Sequence, residues 1–109
     1  MRNWILLSSS AAVLAIAPLM IGADKAGDAA KGKDVFEQCS VCHNVDSDEK
    51  KIGPSLKGLY KHDKLKNGKK VTDANVLGVI NAGGGGMPSY SDTLSDQEKA
   101  DVIAYLKTI

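Results

Sequence analysis

Apolar residues recur at the spacing of amphipathic helices in three segments of this 109-residue chain. The first segment follows Asp28, a typical helix N-cap, and is predicted to continue as a helix through Cys39. The second extends from Thr72 to Gly83. The third opens with Ser95 and Glu98, which form a capping-box pattern. The positions directed to one side of each helix are Gly32, Val35, Phe36, Cys39 and His43; Val76, Leu77 and Ile80; and Val102, Ile103, Tyr105 and Leu106.

Long polar or glycine-rich segments separate these helices. They include a rigid corner at Gly53-Pro54, a short "SLKGLYK" stretch with one or two helical turns, a turn at Asn67-Gly68 and the glycine run 83–86. No segment alternates apolar and polar residues as a strand would. The pattern predicts a small all-α domain of three to five helices. Loops this long in so small a domain indicate that they surround something.

Residues 1–23 have the layout of a secretory signal peptide. Arg2 is the only charged residue before Asp24, and an apolar run ending in small residues lies between them. Cleavage after Ala23 is expected, which leaves 24–109 as the mature domain. Ile21 is larger than the small residue expected at that position, so an anchor retained in the membrane through residues 4–23 stays open.

Cleavage would leave 13 basic residues against 13 acidic ones, since Arg2 is one of the 14 Lys and Arg. A near-neutral chain argues against nucleic-acid binding, which needs a basic excess. The mature part also loses Trp4 and keeps one Phe and three Tyr. A domain with so little aromatic mass usually needs a disulfide, a metal or a cofactor to complete its core.

The segment "CSVCH" contains both cysteines, Cys39 and Cys42, directly followed by His43. A thioredoxin-type pair would need a preceding strand, which is absent from the pattern. A zinc site would have to use these residues and His62, but the spacing is not that of a zinc finger. A disulfide would leave His43 unexplained. The spacing C-x-x-C-H predicts covalent attachment of one c-type haem, with both thiols bonded to the porphyrin and His43 as the proximal iron ligand.

The chain from about residue 27 to 109 resembles the small monohaem class I cytochromes c. The matching segments, in order, are "CSVCH", "GPSLKGLY", "GGGGMPSY" and "LSDQEKADVIAYL". The resemblance implies the small cytochrome c fold wrapped around one haem. It also implies an exported, periplasmic, monomeric one-electron carrier that acts in a respiratory or photosynthetic chain and is not an enzyme.

Met87 is the expected second iron ligand. It is the one methionine that remains after cleavage, and its thioether lies between the glycine run 83–86 and Pro88. His62 is the competing ligand, although its lysine-rich surroundings are typical of a solvent-exposed histidine. The alternative function is a haem peroxidase or gas sensor, which would need Met87 to be labile.

The resemblance assigns roles to several further residues. The carbonyl of Pro54 is expected to accept a hydrogen bond from the ring of His43. Gly32, Phe36 and Tyr105 match the positions at which the terminal helices of the family cross. Because the mature chain has no tryptophan, the aromatic residue near the haem propionates stays open between Tyr60 and Tyr90.

Six lysines lie within residues 57–70: Lys57, Lys61, Lys64, Lys66, Lys69 and Lys70. They are interpreted either as a solvated loop or as a docking face for an acidic redox partner, whose encounter the charge would accelerate. The identities of the donor and acceptor proteins are not predicted.

Overall fold

The computed structural model describes residues 26–109, which form three α-helices and one short 3-10 helix. In chain order these are α1 (Ala29–Phe36), the 3-10 helix (Leu59–Lys61), α2 (Asp73–Ala82) and α3 (Asp96–Leu106). Extended pairing within this range is limited to isolated bridges, such as the one between Gly84 and Met87. The all-α prediction is therefore confirmed. The predicted signal peptide lies outside the described residues.

The helices begin where the capping residues predict. The side chain of Asp28 accepts hydrogen bonds from the amides of Ala30 and Lys31 at 2.9 and 3.2 Å. Ser95 and Glu98 bond each other's backbone amides at 3.0 and 3.1 Å, so the capping box is present. Each bond satisfies an amide that the first turn of a helix leaves unpaired. None of the helices within residues 26–109 has the length and apolar character required to cross a bilayer.

The first helix ends earlier than predicted. It stops at Phe36 rather than continuing through Cys39, and consecutive turns follow it. The amides of Glu37, Cys39 and Cys42 bond to carbonyls three residues earlier, as the Cys39 amide does to the Phe36 carbonyl at 2.8 Å. Hydrogen bonds between residues three apart wind the backbone more tightly than an α-helix does. The amide of His43 still bonds the Cys39 carbonyl at 3.0 Å, so the motif is held in an ordered turn.

Helix α1 crosses α3 at Gly32, as the family resemblance predicts. A Cβ atom at Gly32 would overlap the backbone carbonyl of Asp101 and lie 2.9 Å from the Cβ of Tyr105. The rings of Phe36 and Tyr105 pack beside this point, with their centroids 5.3 Å apart and their planes inclined by 49°. Gly27 makes a second close approach, because a Cβ there would overlap the carbonyl of Ala100. The absence of side chains at both glycines is what lets the helices approach so closely.

The apolar core lies between the three helices. Its buried members are Phe36, Val76, Ile80, Leu94, Val102, Ile103 and Leu106. No large side chain in the described chain is completely shielded from solvent. A core this small and this incompletely covered is what a domain shows when part of its interior is reserved for a ligand.

Candidate functional site

A cleft that is open to solvent lies between the helices and the two loops that follow α1 and α2, and it encloses about 370 Å³ when its solvent-filled mouth is included. Five of the seven buried core residues line it: Phe36, Ile80, Leu94, Val102 and Leu106. Its other lining residues are Cys39, His43, Leu56, Met87 and Tyr90. The cleft is thus an apolar cavity with a thiol, an imidazole and a thioether in its walls.

The imidazole of His43 is held by the loop at Gly53-Pro54. Its Nδ1 lies 2.7 Å from the carbonyl oxygen of Pro54. Because a carbonyl only accepts, this bond requires the proton on Nδ1 and leaves the lone pair of Nε2 available to a metal. The contact is the one that the resemblance predicts for Pro54.

Gly53 supports the same ring, and the sequence interpretation did not single it out. Its amide donates to the carbonyl of Cys42 at 2.8 Å. A Cβ at Gly53 would lie 2.5 Å from Cε1 of His43. The backbone can therefore reach the imidazole only because residue 53 has no side chain. The sequence signal was the glycine that directly precedes Pro54.

Cys39 and Cys42 are half-buried free thiols, so the structure contains no disulfide between them. Cys39 lines the cleft, whereas Cys42 is not among the lining residues. Burial raises the pKa of the Cys39 thiol, and the neighbouring Cys42 raises it further. Both cysteines flank the turn that presents His43.

Met87 lines the cleft from a tight loop. Gly83, Gly84, Gly85 and Gly86 all have positive φ angles, of 64°, 109°, 61° and 93°. Only glycine adopts this conformation without steric cost. Gly84 and Met87 exchange two backbone hydrogen bonds of 2.8 and 3.1 Å across the turn. The loop therefore has a defined shape that directs Met87 inward.

The other sequence candidates lie apart from the cleft, with one exception. His62 is exposed and absent from its lining, and the six lysines at 57–70 are exposed as well. Tyr90 lines the cleft, whereas the Tyr60 hydroxyl donates to Asp73 at 2.8 Å. Burial and this bond raise the pKa of Tyr60. Within residues 26–109 no three His, Cys, Asp or Glu side chains gather as an ion site, which gives the zinc alternative no support.

The donor set fits an iron porphyrin. Nitrogen from His43 and sulfur from Met87 are the axial donors found in haem electron carriers, and the apolar walls match the face of a porphyrin. The Cys39 thiol at the margin of the cleft suits covalent attachment. Carboxylates, which would indicate a hard cation, are absent from the cleft lining.

Comparisons with known proteins agree with this geometry. A family model described as Cytochrome c matches residues 29–109. Cytochrome c2 of Blastochloris viridis is 46% identical over 52 residues, which are 46% of this chain and 41% of the relative. Cytochrome c6 of Synechocystis is 39% identical over 82 residues, covering 74% of this chain and 65% of the relative.

The match thus spans less than two thirds of the length of these two relatives. A solved structure of cytochrome c6 from the diatom Phaeodactylum tricornutum superimposes with a TM-score of 0.59 and 29% identity. It covers 75% of this chain and 93% of the diatom protein. The helices, the cleft and the family match together show that the chain belongs to the cytochrome c family.

Proposed function

We propose that this protein is a one-electron carrier with one covalently bound haem c. The observation that carries the proposal is the apolar cleft in which an oriented His43, Cys39 and Met87 line the walls. The family match and the similarity to cytochromes c2 and c6 support it. The bound haem supplies the one-electron couple between ferrous and ferric iron.

Each site residue has a separate role in this proposal. The thiols of Cys39 and Cys42 hold the porphyrin through thioether bonds. His43 would supply Nε2 as one iron ligand, and the Pro54 carbonyl fixes its tautomer and would make the ring a stronger donor. Met87 supplies the other ligand, and its soft sulfur favours ferrous iron. Apolar residues around them exclude water, so little rearrangement accompanies each electron.

The absorption spectrum tests the axial ligands. The oxidised protein is expected to be low-spin, with the weak sulfur-to-iron band of a methionine ligand, and the reduced protein should not bind carbon monoxide. A low-spin spectrum without the sulfur band would assign His62 or a lysine as the ligand. A high-spin spectrum with carbon monoxide binding would favour the peroxidase or gas-sensor alternative, which the similarity to cytochromes c2 and c6 does not favour.

We also propose that the lysines at 57–70 form a docking face for an acidic redox partner protein. All six are exposed, and Asp63 is the one acidic residue among them. Charge of this kind accelerates encounter more than it strengthens the complex, and salt screens it. The second-order rate of electron transfer to an acidic partner should therefore fall as ionic strength rises.

Single substitutions distinguish a docking face at residues 57–70 from an effect of the protein's overall charge. Lys64→Gln and Lys66→Gln should each lower the rate at low salt, while Lys33→Gln, an exposed lysine of α1, should change it less. A rate that is independent of salt, or equal effects of all three substitutions, would contradict the docking face.

Export is the remaining part of the proposal. Residues 1–23 would direct the chain out of the cytoplasm, to the periplasm or an equivalent space, and 24–109 would form the mature monomeric domain. The charge pattern around Arg2 and the small residues before Asp24 support this division. Mass spectrometry of the purified protein should give the mass of 24–109 plus one haem. A full-length mass in the membrane fraction would instead indicate an anchor at residues 4–23.

A further inference from the structure

The C-terminal end of α2 is capped by residues that return from the Met87 loop. An α-helix leaves its last four carbonyls without partners in the helix. In α2 the amide of Tyr90 donates to the Ile80 carbonyl at 2.9 Å, and the Ser89 hydroxyl donates to the Asn81 carbonyl at 2.5 Å. The loop that carries Met87 is therefore closed at its base by two bonds to the helix from which it departs.

The two bonds differ in what they depend on. The Tyr90 bond uses only backbone atoms, whereas the Ser89 bond needs the hydroxyl of one side chain. The Oδ1 of the Asn81 side chain is buried and lacks a hydrogen-bond partner among the described residues, and as an acceptor it could not replace the Ser89 hydroxyl. Among the described residues, the Ser89 hydroxyl is the donor found on the Asn81 carbonyl. The Ser91 hydroxyl lies 3.2 Å from that of Ser89.

The backbone is tightly packed at the base of the loop, where Gly83 lies against Met87 and Pro88. A Cβ at Gly83 would lie 2.5 Å from the Met87 carbonyl oxygen and 2.6 Å from the carbonyl carbon of Pro88. Ser89 follows Pro88 directly, so fixing its hydroxyl on Asn81 fixes the direction in which residues 87 and 88 leave the turn. The position of the Met87 sulfur is thereby connected to a hydrogen bond two residues away.

We propose that Ser89 is a positioning residue that holds Met87 on the iron by closing the loop against the C-terminal end of α2. The inference rests on the proposed function, since it requires Met87 to be an iron ligand. Release of Met87 opens the loop, and opening breaks the Ser89 bond. The bond therefore lowers the fraction of molecules in which the distal side of the iron is accessible.

The test uses the haem-containing protein and imidazole, which replaces the Met87 sulfur on ferric iron. Ser89→Ala should raise the association constant for imidazole roughly fivefold, which corresponds to about 1 kcal/mol for one hydrogen bond. The sulfur-to-iron band should weaken at a lower temperature than in the unchanged protein. Ser89→Thr retains a hydroxyl and should restore both values.

Thr108→Val is the matched control. Its hydroxyl donates at 2.6 Å to the carbonyl of Tyr105, near the end of α3, so the substitution removes the same kind of bond away from the loop. It should lower the unfolding temperature without changing imidazole binding. Equal imidazole affinity in Ser89→Ala and the unchanged protein would overturn the role of Ser89. An equal rise of the imidazole affinity in Ser89→Ala and Thr108→Val would overturn it as well. If the unchanged protein itself lacks the sulfur-to-iron band, the Met87 ligand fails and this inference fails with it.

Discussion

Asp101 joins the beginning of α1 to the middle of α3. Its Oδ1 accepts hydrogen bonds of 2.8 Å from the Asp28 amide and 2.8 Å from the Gln97 side chain, and the residue is only 3% exposed. The pKa of the Asp101 carboxyl lies below its usual value. The bond from the Asp28 amide is the larger cause, and the bond from Gln97 is the next. An ionised carboxylate thus stabilises the contact between the terminal helices.

Replacing this carboxylate should make stability depend less on pH. A lowered folded-state pKa adds stability above the unfolded pKa of about 3.9, and that contribution is lost as pH falls through the folded value. Asp101→Asn keeps an oxygen acceptor but loses the charge. It should lower the free energy of unfolding by about 1–2 kcal/mol at pH 7, and the difference should shrink below about pH 4.

Denaturant unfolding of the haem-containing protein between pH 3 and 7 measures this difference. Asp34→Asn removes an exposed carboxylate of α1 and serves as the control, with an expected change within about 0.5 kcal/mol. A difference for Asp101→Asn that stays constant from pH 7 to pH 3 would show that the charge does not contribute.

At the scale of elements, the crossing of α1 and α3 is the contact most sensitive to side-chain size. Gly32→Ala would place a methyl group on the Asp101 carbonyl and the Tyr105 Cβ, both parts of a neighbouring helix. The helices would have to separate, so the free energy of unfolding should fall by about 2–3 kcal/mol despite the better helix propensity of alanine. Thermal or denaturant unfolding measures this loss, while the haem should stay attached.

Gly78→Ala is the matched substitution in α2. Apart from Gly78, its chain neighbours and the nearby backbone of α2, no atom lies within 4 Å of a Cβ built at Gly78, so the change should raise stability by about 0.5–1 kcal/mol. Gly32→Ala and Gly78→Ala make the same chemical change in a helix, but their effects on the free energy of unfolding should have opposite signs. Equal effects would show that propensity, rather than the helix crossing, determines the outcome at Gly32.

The sequence predicted helix starts better than helix ends. Asp28 and Ser95 cap through contacts within a few residues, so their role is visible in the local pattern. The end of α1 at Phe36 was missed because it depends on a change to tighter hydrogen bonding that the apolar spacing of Val35, Phe36 and Cys39 does not reveal. Gly27 and Asp101 were missed because their partners are more than seventy residues away.

The sequence predicted the haem-binding residues more completely than it predicted the contacts that hold those residues in place. Cys39, Cys42 and His43 are adjacent in the chain, so their spacing alone predicts haem attachment, and Met87 followed from the glycine run. The assignments of both axial ligands remain predictions. The contacts of Gly53 with His43 and of Ser89 with Asn81 are formed by folding; the Gly53-Pro54 pair marks a corner of the chain, but it does not show which side chain that corner contacts.

For the whole molecule, the cleft and the core share most of the buried apolar side chains. Five of the seven buried apolar residues line the cleft, so without haem they would face a cleft that is open to solvent. A Cys39→Ala/Cys42→Ala double variant cannot attach haem covalently. It should lose on the order of 5 kcal/mol or more, comparable with the whole stability of a typical small domain.

Far-UV circular dichroism and thermal unfolding measure this loss in the purified double variant. We expect reduced helicity and a broad, weakly cooperative transition, because most of the buried core residues also line the cleft that haem would fill. The local caps at Asp28 and Ser95 would remain, but isolated helices of 8 and 11 residues are too short to persist without tertiary packing. A sharp transition near that of the haem-containing protein would instead show that the α1–α3 crossing at Gly32 forms a sufficient core by itself.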